Sequence, residues 1–451
     1  MSLFRSAALL VAAAWWGCAT LALADDAPGA GTAPAQVASS APAASAAATE
    51  AAPLMDLTVA PPELWQRIRN DFGLPDLTGP LVQQQERWLL RHPDYLRNAI
   101  ARSSRYLYHV VDEVEQRGMP SEIALLPFVE SAYNPAAYSR AHASGLWQFI
   151  PSTAKVYGLQ QNFWYDGRRD VIAATDAALD YLEKLYEMFG SWNLAFAAYN
   201  WGENGVTRAI AINLAKGLPT DYSNLRMPRE TRSYVPKLQA IKNIIADPQR
   251  YGIDLADIPN QPYFATVTTH RHIDVQLAAK FAQVPVEEFV SLNPAYTRPV
   301  IRVDGEEETL LLPADKVEVF QTNLEQNQDA PLVSWETYTL KRGDRLSRIA
   351  AKHGVTLTYL KRVNGISSRR KIGPGMTVLV PAKLTDVNVE LPDLPAPPLP
   401  VFNSRRHHPG HHHKTTSHKS SKQSSAKPIA RAVHHKNSVA LAQDRSASAA
   451  R

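Results

Sequence analysis

Apolar residues recur at helical spacing from residue 61 to about residue 246, in two blocks. The first block predicts helices in LWQRIRNDF (64–72), VQQQERWLLRH (82–92) and a long amphipathic stretch at 95–117. Pro120 begins the second block, which ends before Asp247. Between residues 61 and 250, apolar and polar residues show no alternation with a period of two. The pattern therefore predicts a mainly helical region, with an N-terminal subdomain at 61–118 and a second domain at 119–250.

A different pattern follows residue 262, where one motif occurs twice. LAAKFAQVPVEEFVSLNP (277–294) and IAAKHGVTLTYLKRVNG (349–365) align with one gap. Each copy lies between two β-prone runs, FATVTTH and TLLLP in the first copy, ETYTLKRGD and TVLVP in the second. This arrangement predicts two small β-α-α-β modules of about 45–50 residues. We place them at 262–315 and 335–382.

The remaining segments have a composition that cannot form a core. Residues 1–24 combine Arg5, an apolar stretch and an Ala-Leu-Ala end, which predicts an export signal. Residues 25–60 are an Ala/Pro-rich tether, and 391–451 form a Pro-rich linker and a basic His/Lys/Ser tail. Both are predicted to be disordered.

Charge is distributed unevenly along the chain. The net charge is +5, but residues 403–451 hold ten lysines and arginines against one acidic residue, Asp444. The basic character belongs to this tail, so it gives no reason to predict a nucleic-acid-binding core. The tail also has eight histidines, which could hold a transition metal or act as a flexible cation on anionic polymers or lipid head groups.

Cysteine usage leaves two alternatives open. The chain has one cysteine, Cys18, inside the predicted signal. Cleavage after Ala24 would give a thiol-free soluble protein, whereas acylation of Cys18 would give a lipid anchor. Outside the signal, no apolar run approaches the roughly 20 residues that a membrane-spanning helix needs. We therefore expect an exported protein whose membrane association, if present, is peripheral or lipid-anchored.

The stretch LLPFVESAYNP (125–135) places a single ionisable residue, Glu130, at the end of an apolar run. Partial removal of its carboxyl from water would raise its pKa and keep it protonated near neutral pH. That is the environment of a general acid. The structural alternative is a helix-end glutamate paired with an arginine.

Four ordered motifs resemble those of soluble lytic transglycosylase domains: ESAYNP, GLWQFIPSTAKVYGL, AFAAYNWGENGV and RETRSYVPK. The segment WYDGRRDV and the two modules, which are similar to LysM modules, narrow the resemblance to lytic murein transglycosylases of the membrane-bound D type. The resemblance covers residues 61–382. It implies a lysozyme-like catalytic domain tethered to two LysM-type modules, acting on peptidoglycan glycan strands in the periplasm, with possible anchoring to the outer membrane.

The resemblance also implies a mechanism and a set of site residues. In this family one glutamate acts first as acid and then as base, while the muramic acid 6-hydroxyl attacks, so the product is a 1,6-anhydro end. Glu130 matches this glutamate, and no metal or organic cofactor is implied. The positions that match substrate-binding residues of the groove are Ser139, Gln148, Tyr199, Asn200, Glu230 and Tyr234.

Several of these positions have structural alternatives. Gln148 could satisfy backbone groups, Tyr234 could belong to the core, and packing is the expected role of Trp147. A second carboxylate would favour a hydrolase of the same fold, and Asp166 and Asp170 are the nearest candidates. Their sequence contexts favour a turn residue and a helix N-cap. A glycan-binding scaffold without catalysis is the remaining alternative.

The two modules differ in the features that family resemblance links to glycan binding. The second has a Gly343-Asp344 entry to its helices and a Pro374-Gly375 turn before its last strand. The first has THRH (269–272) at the entry and an acidic insert at 304–308. The resemblance implies a shallow groove for N-acetylglucosamine-containing chains. Weak binding by the first module, or a spacer role for either, stays open.

Overall fold

The structure is a computed structural model and describes residues 62–367 and 371–382. The predicted export signal with Cys18, the tether, the Pro-rich linker and the His-rich tail lie outside the described residues. Within the described ranges, no helix combines the length and apolar character needed to cross a membrane.

The region from residue 62 to the first module is helical. Its helices are α1 (Leu64–Asn70), α2 (Pro80–Arg91), α3 (Pro93–Ser103), α4 (Leu107–Gln116), α5 (Leu126–Glu130), α6 (Pro151–Val156), α7 (Val171–Phe189), α8 (Trp192–Trp201), α9 (Glu203–Leu214) and α10 (Arg229–Ala246). Short 3-10 turns occupy Ser121–Leu125, Tyr222–Asn224 and Gln249–Tyr251. The described residues of this region form isolated β-bridges, and none of them belongs to a longer β-strand. The mainly helical fold predicted for this region is confirmed.

The prediction of one long helix at 95–117 is wrong, because the chain forms two helices there, α3 and α4. The hydroxyls of Ser103 and Ser104 donate to the carbonyls of Ile100 (2.8 Å) and Ala101 (2.9 Å), which competes with continuation of the helix. Tyr106 then turns into the core and donates to the carbonyl of Ser291 (2.7 Å), in the first module.

Helix α10 is the central helix of the core and packs against α1, α2, α5 and α8. A buried ion pair fixes it to the turn that precedes α5. Glu122, fully buried in that turn, accepts from the backbone N–H groups of Gly73 (3.0 Å) and Leu74 (2.9 Å) and pairs with the ammonium of Lys242 on α10 (3.0 Å). One carboxylate therefore joins three segments of the chain.

Both modules have the predicted β-α-α-β order. The first contains β1 (Phe264–Thr269), β2 (Ile273–Asp274), α11 (Val275–Phe281), α12 (Val286–Leu292), β3 (Val300–Ile301), β4 (Glu308–Pro313) and α13 (Val317–Gln326). The second contains β5 (Trp335–Thr339), α14 (Leu346–Lys352), α15 (Leu357–Val363) and β6 (Thr377–Pro381). The outer strands pair antiparallel, β1 with β4 and β5 with β6, and β2 pairs with β3. The predicted limit at 315 leaves out α13, although its Phe320 is buried in the core of the first module.

The asparagine that ends each repeat has the same structural role in both modules. Asn293 accepts from the backbone N–H of Leu311 (2.9 Å) and donates to its carbonyl (2.7 Å). Asn364 does the same with Leu379, at 2.6 and 2.8 Å. Each amide therefore joins the end of the second helix to the last strand.

The modules pack against the helical domain, a contact that the predicted tethered arrangement did not include. Arg105 forms an ion pair with Glu288 of the first module at 2.5 Å. Trp335 of the second module belongs to an apolar cluster that also includes Phe163 and Trp164 of the helical domain. These contacts connect the three parts directly.

We expect Glu122→Ala to lower the free energy of unfolding by about 3–5 kcal/mol, because it removes the buried carboxylate that pairs with Lys242 and leaves only the exposed Asp76 as its ion-pair partner. It also leaves the backbone N–H groups of Gly73 and Leu74 without their acceptor. Glu122→Gln, which keeps an acceptor oxygen, should cost less. Urea unfolding measures both. The control is Glu183→Ala on the exposed side of α7, which should change stability by no more than about 0.5 kcal/mol. Equal stability of Glu122→Ala and the control would contradict the role of the pair.

Candidate active site

A groove of about 1020 Å³ crosses the helical domain. All seven residues predicted for the site line it: Glu130, Ser139, Gln148, Tyr199, Asn200, Glu230 and Tyr234. The sequence motifs come from segments far apart in the chain, so their convergence is a property of the fold. The individual roles of these residues stay predictions.

Glu130 is the last residue of the short helix α5 and is half-buried at the groove wall. Leu126 and Phe128, earlier in the same helix, are buried in the core and hold this helix end in place. Burial raises the pKa of Glu130 to about 7, against the opposing effects of a hydrogen bond from Tyr234 and the charge of Lys237. The carboxyl is therefore protonated in a large fraction of molecules at neutral pH.

Three residues of α10 surround this carboxyl. The hydroxyl of Tyr234 donates to Oε1 of Glu130, and Lys237, three residues further on, donates to the carbonyl of Val129 at 3.0 Å. Glu230 is exposed at the start of α10, and its charge raises the pKa of Glu130. Tyr234 is buried, as the core alternative expects, yet its hydroxyl also reaches the site. Burial lowers the pKa of Lys237, with the charge of Glu130 opposing this.

The opposite wall is built on a tight turn. Gln148 has a positive φ of 50° and donates from its side chain to the carbonyl of Gly145 at 2.9 Å, so it does satisfy backbone groups. Gly145 has a φ of 88°, and a Cβ there would meet the carbonyl oxygen of Arg168 at 1.7 Å. Only glycine fits at that position. The hydroxyl of Ser139 accepts from the backbone N–H of Ala143 at 3.0 Å.

The end of α8 brings Tyr199 and Asn200 to the groove. Tyr199 donates to the carbonyl of Trp147 at 2.9 Å, and Asn200 accepts from the hydroxyl of Thr231 at 2.8 Å. Trp147 is fully buried and its indole donates to Thr175 at 3.0 Å, which confirms its predicted packing role.

Sequence reasoning missed several groove residues. They include Gln84, Gln85, Trp201, Arg229, Arg232 and Lys237. Lys237 could have been found from its spacing, since it follows Glu230 by seven residues and Tyr234 by three, which places all three on one face of a helix. Gln84 and Gln85 lie outside the family motifs and gave no such signal.

Asp166 and Asp170 have the structural roles that their sequence contexts favour. Asp166 pairs with the buried Arg168 at 2.7 Å. Asp170 caps α7 by accepting from the backbone N–H of Ala173 at 2.8 Å. Its other carboxylate oxygen accepts from the hydroxyl of Tyr165 at 2.6 Å. Neither lines the groove. Within residues 62–367 and 371–382, no group of three or more His, Cys, Asp or Glu side chains is arranged to hold a metal ion.

The groove is accessible from solvent, so a ligand that enters it meets the carboxyl of Glu130, which is protonated in a large fraction of molecules. Tyr234 fixes one oxygen of the carboxyl, and the groove around it presents amides, hydroxyls, aromatic rings and the charged side chains of Arg229, Glu230 and Arg232. Such a mixture suits a polyhydroxylated chain, and the acid can protonate an oxygen that leaves as a neutral alcohol.

Three family profiles match the chain. The profile described as "Transglycosylase SLT domain" matches residues 110–218. The profile "Lytic transglycosylase MltD, LysM-like domain" matches 263–329, and "LysM domain" matches 338–381. The second match extends through α13, in agreement with the packing of that helix.

Individual proteins are similar over different shares of the chain. "Membrane-bound lytic murein transglycosylase D" of Escherichia coli (strain K12) is 35% identical over 331 residues, which are 70% of this chain and 72% of the relative. The "Putative tributyltin chloride resistance protein" of Alteromonas sp. (strain M-1) is 45% identical over 150 residues, which are 33% of this chain and 72% of the relative. A solved structure, the 70 kDa soluble lytic transglycosylase SLT70 of Escherichia coli, matches with 23% identity and a TM-score of 0.25, over 40% of this chain and 31% of that one.

The match to the Escherichia coli protein covers 70% of this chain and 72% of the relative at 35% identity. The order of the three profile matches along the chain agrees with it. The chain belongs to the family of the membrane-bound lytic murein transglycosylase D.

Proposed function

We propose that the chain cleaves the β-1,4 bond between N-acetylmuramic acid and N-acetylglucosamine in peptidoglycan and leaves 1,6-anhydromuramic ends. The observation that carries this proposal is the half-buried Glu130, whose pKa of about 7 suits a group that must both give and take a proton. The relative from Escherichia coli is named a murein transglycosylase, which agrees with the proposed polymer.

The proposed reaction uses Glu130 twice. Its carboxyl donates a proton to the bridging oxygen, the bond from that oxygen to C1 of the muramic acid breaks, and N-acetylglucosamine leaves as an alcohol. The resulting carboxylate accepts the proton of the 6-hydroxyl as O6 bonds to C1. The proton count balances, no water is consumed, and the acid is regenerated.

The neighbours of Glu130 support both halves of this cycle. Tyr234 donates to Oε1 and so fixes the direction of the carboxyl in either protonation state. The charge of Lys237 favours the carboxylate that forms after the first transfer, and that of Glu230 favours the acid. Asp166 and Asp170 have structural roles outside the groove, which counts against the hydrolase that either would have favoured. An acidic group of raised pKa has no use in a pure scaffold.

We also propose a location and a role for the modules. The Escherichia coli relative is named a membrane-bound protein, and we infer that this chain likewise acts in the cell envelope, exported to the periplasm. The LysM-type modules would bind N-acetylglucosamine-containing chains. Binding at several sites on one polymer raises the effective concentration of the groove at its substrate.

Glu130→Gln should abolish cleavage of purified sacculi, because an amide cannot donate the required proton. The measurement is mass spectrometry of the released muropeptides, where wild-type products should be one water lighter than hydrolysed ends and resistant to borohydride reduction. The matched control is Glu183→Gln on the exposed side of α7, which should keep full activity. Reducible ends from the wild-type protein would show a hydrolase, and intact sacculi that bind the protein would show a scaffold.

Activity should fall as pH rises through about 7, because the reaction starts from protonated Glu130. Lys237→Met removes a cation that favours the carboxylate, so the alkaline limb of kcat/KM should move to higher pH. Glu230→Gln removes a like charge and should move the same limb to lower pH. Profiles of kcat/KM against pH measure both shifts. Movement of both variants in the same direction would contradict the electrostatic assignment.

Asp344→Ala should weaken binding of the Glu130→Gln protein to sacculi. Asp344 accepts from the backbone N–H of Lys341 at 2.8 Å and from the hydroxyl of Tyr338 at 2.9 Å, and so shapes the turn that enters the second module. Co-sedimentation with sacculi measures the effect, with the exposed Glu336→Gln on β5 as control. Equal binding by the two variants would leave the second module as a spacer.

A further inference from the structure

Two features of the sequence do not line the groove: the segment WYDGRRDV at 164–171 and the acidic insert at 304–308. The fold brings them together around a second cavity, which we call the junction cavity, between the helical domain and the first module. Its volume is about 300 Å³, at the lower end of the range of roughly 300–1,000 Å³ for small-ligand pockets.

Hydrogen bonds between the two parts fix the walls of the junction cavity. The backbone N–H of Thr297 donates to the carbonyl of Trp164 at 2.8 Å. The side-chain hydroxyl of Thr297 donates to the carbonyl of Phe163 at 3.1 Å. The backbone N–H of Asp166 donates to the carbonyl of Ala295 at 2.9 Å. Since the walls are already ordered, a ligand would lose little free energy in arranging them.

The lining combines aromatic rings with planar polar groups. Trp164 and Tyr296 are half-buried, and Tyr296 donates to Oε1 of Glu308 at 2.9 Å. Arg302 lies 4.9 Å from the centre of the Trp164 ring and pairs with Asp304 at 3.0 Å. The charges of Arg302 and Asp304 offset each other, so a neutral ligand meets acceptors and donors without facing a large net charge.

We propose that the junction cavity binds one N-acetylhexosamine residue of a murein glycan, as a subsite separate from the catalytic groove. Aromatic rings offer apolar contact to the C–H faces of a sugar ring. The carboxylate of Glu308 can accept from sugar hydroxyls, and the guanidinium of Arg302 can donate to hydroxyl or acetamido oxygens. The inference rests on the proposed function, because the glycan is the same polymer.

The position of the junction cavity relates it to the groove. Thr153 lines the groove and Gly158 lines the junction cavity. Gly158 follows Thr153 by five positions, so their Cα atoms are at most about 18 Å apart. A sugar in the junction cavity therefore keeps the polymer close to the groove without occupying it.

Two tryptophans allow both sites to be observed in one full-length protein. Trp201 lines the groove and Trp164 lines the junction cavity. We suggest titrating the Glu130→Gln protein with the β-1,4-linked tetramer of N-acetylglucosamine and following the indole N–H resonances by NMR, each assigned with a Trp→Phe variant. The expected result is a saturable shift of both resonances. A murein stem tetrapeptide serves as the second probe and should leave Trp164 unchanged.

Substitutions in the acidic insert test the assignment of Glu308. Glu308→Gln should weaken the affinity for the tetramer, measured from the Trp164 resonance, by about tenfold. This is the change expected from loss of one hydrogen bond to a charged group. The affinity measured from the Trp201 resonance should not change. Glu307→Gln is the matched control, because Glu307 is exposed in the same insert and is outside the cavity lining. It should change neither resonance.

Three results would overturn the inference: a Trp164 resonance that stays fixed while Trp201 saturates, a shift at Trp164 with the peptide alone, or equal affinities of Glu308→Gln and Glu307→Gln. A shift at Trp164 without one at Trp201 would support the junction subsite and count against the proposed groove instead. The two hypotheses therefore fail in different ways.

Discussion

The proton affinity of Glu130 depends on how helix α10 lies across the end of α5. The hydroxyl of Tyr234 and the ammonium of Lys237 both come from α10, and both act on the carboxyl or the peptide unit next to it. The buried pair of Glu122 and Lys242 fixes the same helix to the turn before α5. Core packing and acid chemistry therefore share one helix–helix contact, and a change in the packing of α10 also changes the environment of the acid.

One carboxyl that acts as acid and base needs a pKa close to the working pH. Burial alone favours the protonated form and would make the second step, removal of a proton from a hydroxyl, harder. Lys237 opposes burial, whereas Glu230 reinforces it. The balance leaves the pKa of Glu130 at about 7. In the proposed cycle, Glu230 and Lys237 of the RETRSYVPK motif therefore adjust the pKa of Glu130 in opposite directions.

The sequence was sufficient for those features that leave a repeating or local signal. Helical spacing predicted the helical fold of residues 62–250, and the repeat predicted both modules, including the asparagines whose amides join helix to strand. It was not sufficient where the outcome depends on a distant partner. The break near Ser104 is fixed partly by Tyr106, which bonds to the first module, and α13 follows the last strand of the first repeat, outside the repeated pattern. Periodicity shows which face of a helix is buried, but not what covers it.

The docking of the modules changes how they can assist catalysis. Flexibly tethered binding sites raise effective concentration according to the length of the linker. Here the ion pair of Arg105 with Glu288 and the apolar cluster around Trp335 hold the modules directly on the catalytic domain. Any glycan site on them then lies at a fixed distance and angle from the groove. With the glycan binding proposed for the modules, such an enzyme would select strands whose geometry reaches both places, and the modules would contribute to the choice of the bond as well as to affinity.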